Sequence, residues 1–149
     1  MPAGTKARFI ARKSQSAQTR NKENNMALWR NNLAKLSTKI ASYQVLSADV
    51  GTIFTNRGAS GAVTFTLPAV ADLPTGWWCE FFVAANQSFV IASYGSADNI
   101  TTFNDLTADS ITINTSAERI GFGSTFVWDG TGWLAFNHLG AETQTPTIA

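Results

Sequence analysis

From Tyr43 to His138 the chain never repeats its apolar residues at helical spacing; it is written in short alternating runs. The run SGAVTFTLP sets Val63, Phe65 and Leu67 against Thr64 and Thr66, the pattern of a half-buried strand launched from a glycine turn. Comparable runs lie near 43–47, 52–55, 62–67, 77–85, 88–94, 99–103, 110–114, 119–122, 125–129 and 133–138. The turn-forming pieces NRGASG, DLPTG, AANQ, YGSADN and WDGTG separate them, and the last joins FVWD to WLAF as a hairpin. Regularly spaced short strands leave few folds. The expectation is a mainly β domain over 43–140, a small antiparallel β-sandwich or jelly-roll-like barrel.

The flanks read differently. Residues 1–23 hold Phe9 and Ile10 among basic and small polar residues, too little apolar surface to order a chain, and are expected to form an extended arm. Residues 24–42 are expected to be a short amphipathic α-helix capped by Asn24 or Asn25. Met26, Trp29, Leu33, Leu36 and Ile40 fall on its heptad seam, with Arg30, Lys35 and Lys39 off it. That seam suits packing on the β domain, self-association, or a helix lying on a partner; it is too short to hold a coiled coil alone. The polar tail 141–149 reads as extended.

Little in the composition supports chemistry. His138 is the single histidine and Cys79 the single cysteine, so no disulfide closes within one chain and no cysteine cluster binds zinc. Cys79 sits in WWCEFFV, where a buried inert thiol is expected. Asp98, Asp105 and Asp109 do not have the spacing of an EF-hand loop, and turn aspartates serve turns. The remaining carboxylates are scattered over loops. The reading is a non-enzyme with no cofactor and no metal. Trp77, Trp78 and Trp133 are the candidates for subunit or glycan contacts; adjacent Trp77 and Trp78 must point to opposite faces.

The near-neutral total of +1 conceals two oppositely charged halves. Residues 1–40 carry nine basic residues against Glu23 alone, or +8, while residues 41–149 carry Arg57 and Arg119 against nine acids, or −7. Lys6, Arg8, Phe9, Arg12, Lys13, Arg20 and Lys22 form the candidate docking arm. Its interspersed Ser, Gln, Thr and Asn suit an extended strap on an acidic protein surface. It lacks the aromatic interleaving of single-strand nucleic-acid binders, so nucleic acid is the weaker reading. No apolar run approaches the ~18 residues of a membrane span. The basic N-terminus lacks a following apolar core, so no signal peptide and no membrane partner are expected.

The run YQVLSADVGTIFTNRGASGAVTFTLPAV resembles a module of tailed-bacteriophage virion proteins, found in head fibres, capsid decoration proteins and tail-fibre segments. Tyr43, Val45, Asp49, Gly51, Asn56, Gly58, Ala59, Gly61, Val63, Phe65, Leu67 and Pro68 carry the likeness, and FVWDGTGWLAF looks like the module's closing hairpin. The similarity covers roughly residues 43–138. It implies a β-rich, generally trimeric virion component serving structure or attachment. A small domain behind a basic adhesive arm suits a capsid decoration, or cement, protein. Such a protein would be made in the host cytoplasm and then bind the outer capsid surface as a trimer, with the major capsid protein as partner. The alternative is a tail-fibre or tail-appendage module that binds a host receptor or glycan.

Overall fold

The computed structural model describes residues 34–97, 99–113, 119–139 and 146–149. It is mainly β, two facing sheets forming a sandwich. Among the described residues twelve strands contribute: β1 (Lys35–Thr38), β2 (Tyr43–Gln44), β3 (Thr52–Thr55), β4 (Val63–Thr66), β5 (Trp78–Phe82), β6 (Phe89–Ala92), β7 (Ile100–Thr102), β8 (Asp105–Ala108), β9 (Ser110–Ile113), β10 (Gly123–Trp128), β11 (Trp133–His138) and β12 (Thr147–Ile148). The larger sheet has the order β1-β3-β5-β10-β11-β7-β8 and the smaller β12-β9-β6-β4-β2.

The sheets are mixed where an antiparallel arrangement was expected. The cause is the path of the chain. Strands β1 to β6 alternate between the sheets, so each new strand in a sheet arrives in the direction of its predecessor. Hence β1 pairs parallel with β3, β3 with β5, β2 with β4, and β4 with β6. Only where the chain turns back through a tight hairpin, as in β10–β11, or returns after a longer excursion, are pairs antiparallel. Sequence alternation reports which face a residue occupies, and is blind to strand direction.

That alternation fills the space between the sheets. Phe54, Phe81 and Phe126 enter from the larger sheet, Phe65 and Phe89 from the smaller, and all are fully buried. Phe65 meets both Phe81 and Phe89 at 5.2 Å between ring centroids, and Phe81 meets Phe126 edge-on at 5.6 Å. Each buried ring contributes roughly 1.5–3 kcal/mol by leaving water. A second cluster fills the other end, where Trp133 lies 5.6 Å from Trp77 and 5.4 Å from Trp128.

The expected helix over 24–42 does not extend through its second half. Lys35–Thr38 is a strand on the edge of the larger sheet, and the Lys39 amide continues the ladder to the Thr55 carbonyl at 2.8 Å. Without this strand β3 would be the sheet's edge, with a row of backbone groups left unpaired. Leu36 and Ile40, placed on the helical seam, are 70% and 67% exposed. Met26, Trp29, Leu33 and the whole arm lie outside the described residues. The domain begins earlier than expected, the chain dividing at Leu33/Ala34. Thr147–Ile148 of the tail adds an antiparallel edge strand to β9. Residues 119–122 form a turn and not a strand, with the Phe122 amide bonded to the Arg119 carbonyl.

The motif residues hold turns. Asp49 Oδ2 accepts from the Tyr43 hydroxyl at 3.0 Å and from the Leu46 amide at 2.9 Å. Asn56 is fully buried; its Oδ1 accepts from the Ala84 and Ala85 amides at 2.8 and 2.9 Å, and its Nδ2 donates to the Ala85 carbonyl. Asn56 thereby ties the end of β3 to the segment after β5. In the closing hairpin Asp129 Oδ1 accepts from the Thr131 and Gly132 amides at 2.7 and 2.8 Å. Gly130 has φ +99°, a backbone conformation that favours glycine, and a Cβ there would lie 2.9 Å from Thr75 Oγ1, which would have to shift.

Asn56→Ala should cost about 3 kcal/mol in urea unfolding, because it strands two buried amides. The Gly132 and Thr131 amides hold the Asp129 carboxyl below its usual range. Its contribution is therefore present above the ordinary carboxylate value of about 3.9 and lost as pH falls through its lowered folded value. Asp129→Asn should be less stable than the parent at neutral pH, with the gap closing in acid.

Candidate functional site

The inward positions of the larger sheet are spoken for by Phe54, Cys79, Phe81, Phe126, Trp128 and Trp133. Their neighbours along each strand must point outward. The pairing register arranges these outward residues in three rows. The first runs Trp78, Val127, Leu134 and Thr101. The second runs Leu36, Ile53, Glu80, Thr125 and Phe136. The third runs Thr38, Thr55, Phe82, Gly123 and His138.

Most of this outer face is apolar. Trp78 is 39% exposed, Phe82 40% and Phe136 54%, with Ile53, Val127 and Leu134 half-buried between them. Glu80 is the one carboxylate on the outward side of strands β1, β3, β5, β10 and β11. Isolated exposed apolar residues are ordinary; here they adjoin one another across neighbouring strands.

The smaller sheet presents the opposite character. Its outward rows read Thr147, Thr112, Val90, Thr64 and Ser110, Ala92, Thr66, Gln44. Hydroxyls and small side chains there are suited to water. Beside β2 a groove of about 290 Å³ lies among Leu46, Ser47, Pro68, Leu73 and Tyr94. Its Gln44 amide nitrogen is already committed to the Thr66 and Leu67 carbonyls, and among the described residues no ionised side chain lines it.

No reacting pair forms among the described residues. Cys79 faces the core, and burial pushes its thiol well above the ordinary value, with the negative charge of Asp49 adding to the effect. His138 lies on the outer face, so the two are on opposite sides of the sheet. The polar chain from Ser124 Oγ through Asn137 to Thr102 Oγ1 is satisfied internally, at 2.8 and 2.6 Å. Asp105 Oδ1 caps the Thr107 amide, and no group of three or more His, Cys, Asp or Glu comes together to hold a metal among the described residues.

Of the three tryptophans expected to make contacts, two belong to the core. Trp77 is 3% exposed and its indole donates to the Ser47 carbonyl at 2.8 Å, while Trp133 is fully buried against Trp77 and Trp128. Neither can stack on a sugar. Trp78 is the member that reaches the surface. Phe82, Phe136 and Ile53 join it there without having been singled out. The signal for Phe82 and Phe136 was present in WWCEFF and FVW…WLAF, where apolar residues occupy both parities of a strand, the pattern of a strand covered on both faces. The docking-arm residues Lys6, Arg8, Phe9, Arg12, Lys13, Arg20 and Lys22 fall outside the described residues.

No family model matches the chain. Among curated proteins it is similar to pheromone-regulated membrane protein 10 of Debaryomyces hansenii, with 34% identity over 79 residues. The match takes in 52% of this chain and 7% of that protein, so the chain spans a small fraction of its relative's length. No helix among the described residues is long and apolar enough to cross a membrane.

The core and surface tryptophans are separable by mutation. Trp133→Ala should cost about 3–5 kcal/mol in urea unfolding. Trp78→Ala should keep a cooperative transition and lose less than half as much.

Proposed function

We propose that this chain is a non-catalytic structural protein of a tailed-bacteriophage virion. It acts as a capsid decoration, or cement, protein that binds the outer capsid surface as a trimer and bridges subunits of the major capsid protein. The observation that carries the reading is the role of the motif residues. Asp49, Asn56 and Asp129, all within the runs that resemble phage modules, spend their polar atoms on backbone turns. Val63, Phe65 and Leu67 from the same run are core. The likeness is thus one of architecture, as expected where the shared property is a rigid body to be attached to something.

Charge supplies the means of attachment. The +6 of residues 1–33, seven basic residues against Glu23, is drawn to an acidic surface, while the β domain that follows, with four basic residues against nine acids, is free to project from it. Lys6, Arg8, Arg12, Lys13, Arg20 and Lys22 are the docking residues in this reading, and shared contacts over many copies offset the cost of ordering the arm. The tail-appendage alternative loses ground because Trp77 and Trp133, two of its three candidate glycan contacts, are core residues.

The test is binding to capsids of the phage that encodes the chain. Removing residues 1–23 should abolish attachment while leaving the unfolding transition of the β domain in place. Reversing charge at Arg8, Arg12 and Lys13 should weaken attachment by about tenfold or more, with the parent itself weakening as salt rises. Full occupancy by the shortened chain would overturn the docking role of the arm.

A further inference from the structure

We propose that β1 is a releasable clasp on the edge of the larger sheet, opened when an acidic surface takes up Lys35 and Lys39. The inference rests on the reading above only for the acidic character of the partner, and adds what that partner does to the domain.

β1 brings nothing to the core. Its four residues are exposed or half-buried, none belongs to the buried cluster, and Leu36 is among the most exposed apolar residues of the domain. The strand is held by its ladder to β3, and backbone hydrogen bonds at a sheet edge gain little over those that water would make. Its departure would leave the rings between the sheets in place, so β1 can open as a local unit.

Two lysines supply the side-chain grip. Lys35 Nζ donates to the Val50 carbonyl at 3.1 Å, and Lys39 Nζ stands 3.6 Å from the centre of the Tyr43 ring. Both partners are neutral, and neither ammonium meets a carboxylate among the described residues. An array of carboxylates offers each of them a full opposite charge, which a carbonyl dipole or a ring face does not match.

The seam under the strand is incompletely satisfied. Thr55 is 5% exposed, flanked in its row by Thr38 of β1 and Phe82 of β5, and its hydroxyl has no partner among the described residues. A buried hydroxyl without a partner is costly, and water meets that need once β1 lifts. Closed and open strands thus lie close in free energy, and a partner that prefers one can select it. Residues 34–42, freed at about 3.3 Å each, would lengthen the tether to the sandwich by about 30 Å.

Hydrogen exchange of the full chain, read by mass spectrometry with and without poly-L-glutamate, tests the clasp. In the chain alone, residues 35–39 should exchange about 100-fold faster than β5 and β10, or more. Poly-L-glutamate at low salt should speed exchange at 35–39 by about fivefold or more and leave β5 and β10 unchanged. The effect should vanish in about 1 M salt. Thr55→Val, which puts a methyl in place of the orphaned hydroxyl, should slow exchange at 35–39 by about tenfold. Lys39→Ala should blunt the response to poly-L-glutamate, whereas Leu36→Ala should not. Protection of β5 and β10 in each variant reports that the sandwich is intact. Protection at β1 equal to that at β5 would overturn the proposal. So would poly-L-glutamate that binds without speeding exchange at β1, a result that leaves the arm's attraction to acidic surfaces standing. A chain that poly-L-glutamate does not bind at all would overturn both.

Discussion

Phe65 and Phe81 meet ring to ring between the two sheets, and the remaining architecture is arranged around that contact. Phe65 belongs to the smaller sheet and Phe81 to the larger, so neither sheet has a core without the other. Phe54, Phe89 and Phe126 extend the contact in both directions. With the centre filled by hydrocarbon, polar side chains are pressed into the turns, where Asn56 and Asp129 satisfy backbone amides. The polar atoms of Asn56 and Asp129 are thereby spent on holding the backbone.

The two outer faces differ for reasons that are plain in the register. On the smaller sheet the outward parity is mostly threonine, serine and alanine, and each strand has one side for the core and one for water. On the larger sheet Trp78, Phe82, Val127, Leu134 and Phe136 occupy the outward parity as well. Such strands are hydrophobic on both sides while the domain supplies only one cover. The asymmetry gives the described domain one outer face rich in large apolar side chains and one that is mostly polar.

Much of this was legible in the sequence. The strand at 63–66 follows directly from VTFT, and the hairpin around Asp129–Gly130 from WDGTG. Other elements were not legible, for identifiable reasons. Lys35–Thr38 continues a heptad spacing, and local pattern carries no sign that β3 offers an open edge to be covered. Parallel pairing could not be read because period two is the same in either direction. Trp77 and Trp78 were known to face opposite ways, but their order, core first and surface second, depends on which side of β5 meets the smaller sheet.

The alternate passage of β1 to β6 between the sheets also governs how the chain comes together. Partners such as β3 and β5, or β4 and β6, are separated by a strand that lies in the opposite sheet. Neither sheet can grow strand by strand as a meander would, because every addition must wait for an excursion across the core. Ordering of the first half is thus non-local, and pairings of that kind close slowly. Local hairpins come only after β6, at β7–β8 and β10–β11. During synthesis the aromatic run 77–82 would emerge before β6 and β9 of the facing sheet. How fast the first six strands close therefore sets how long that run stays open to water.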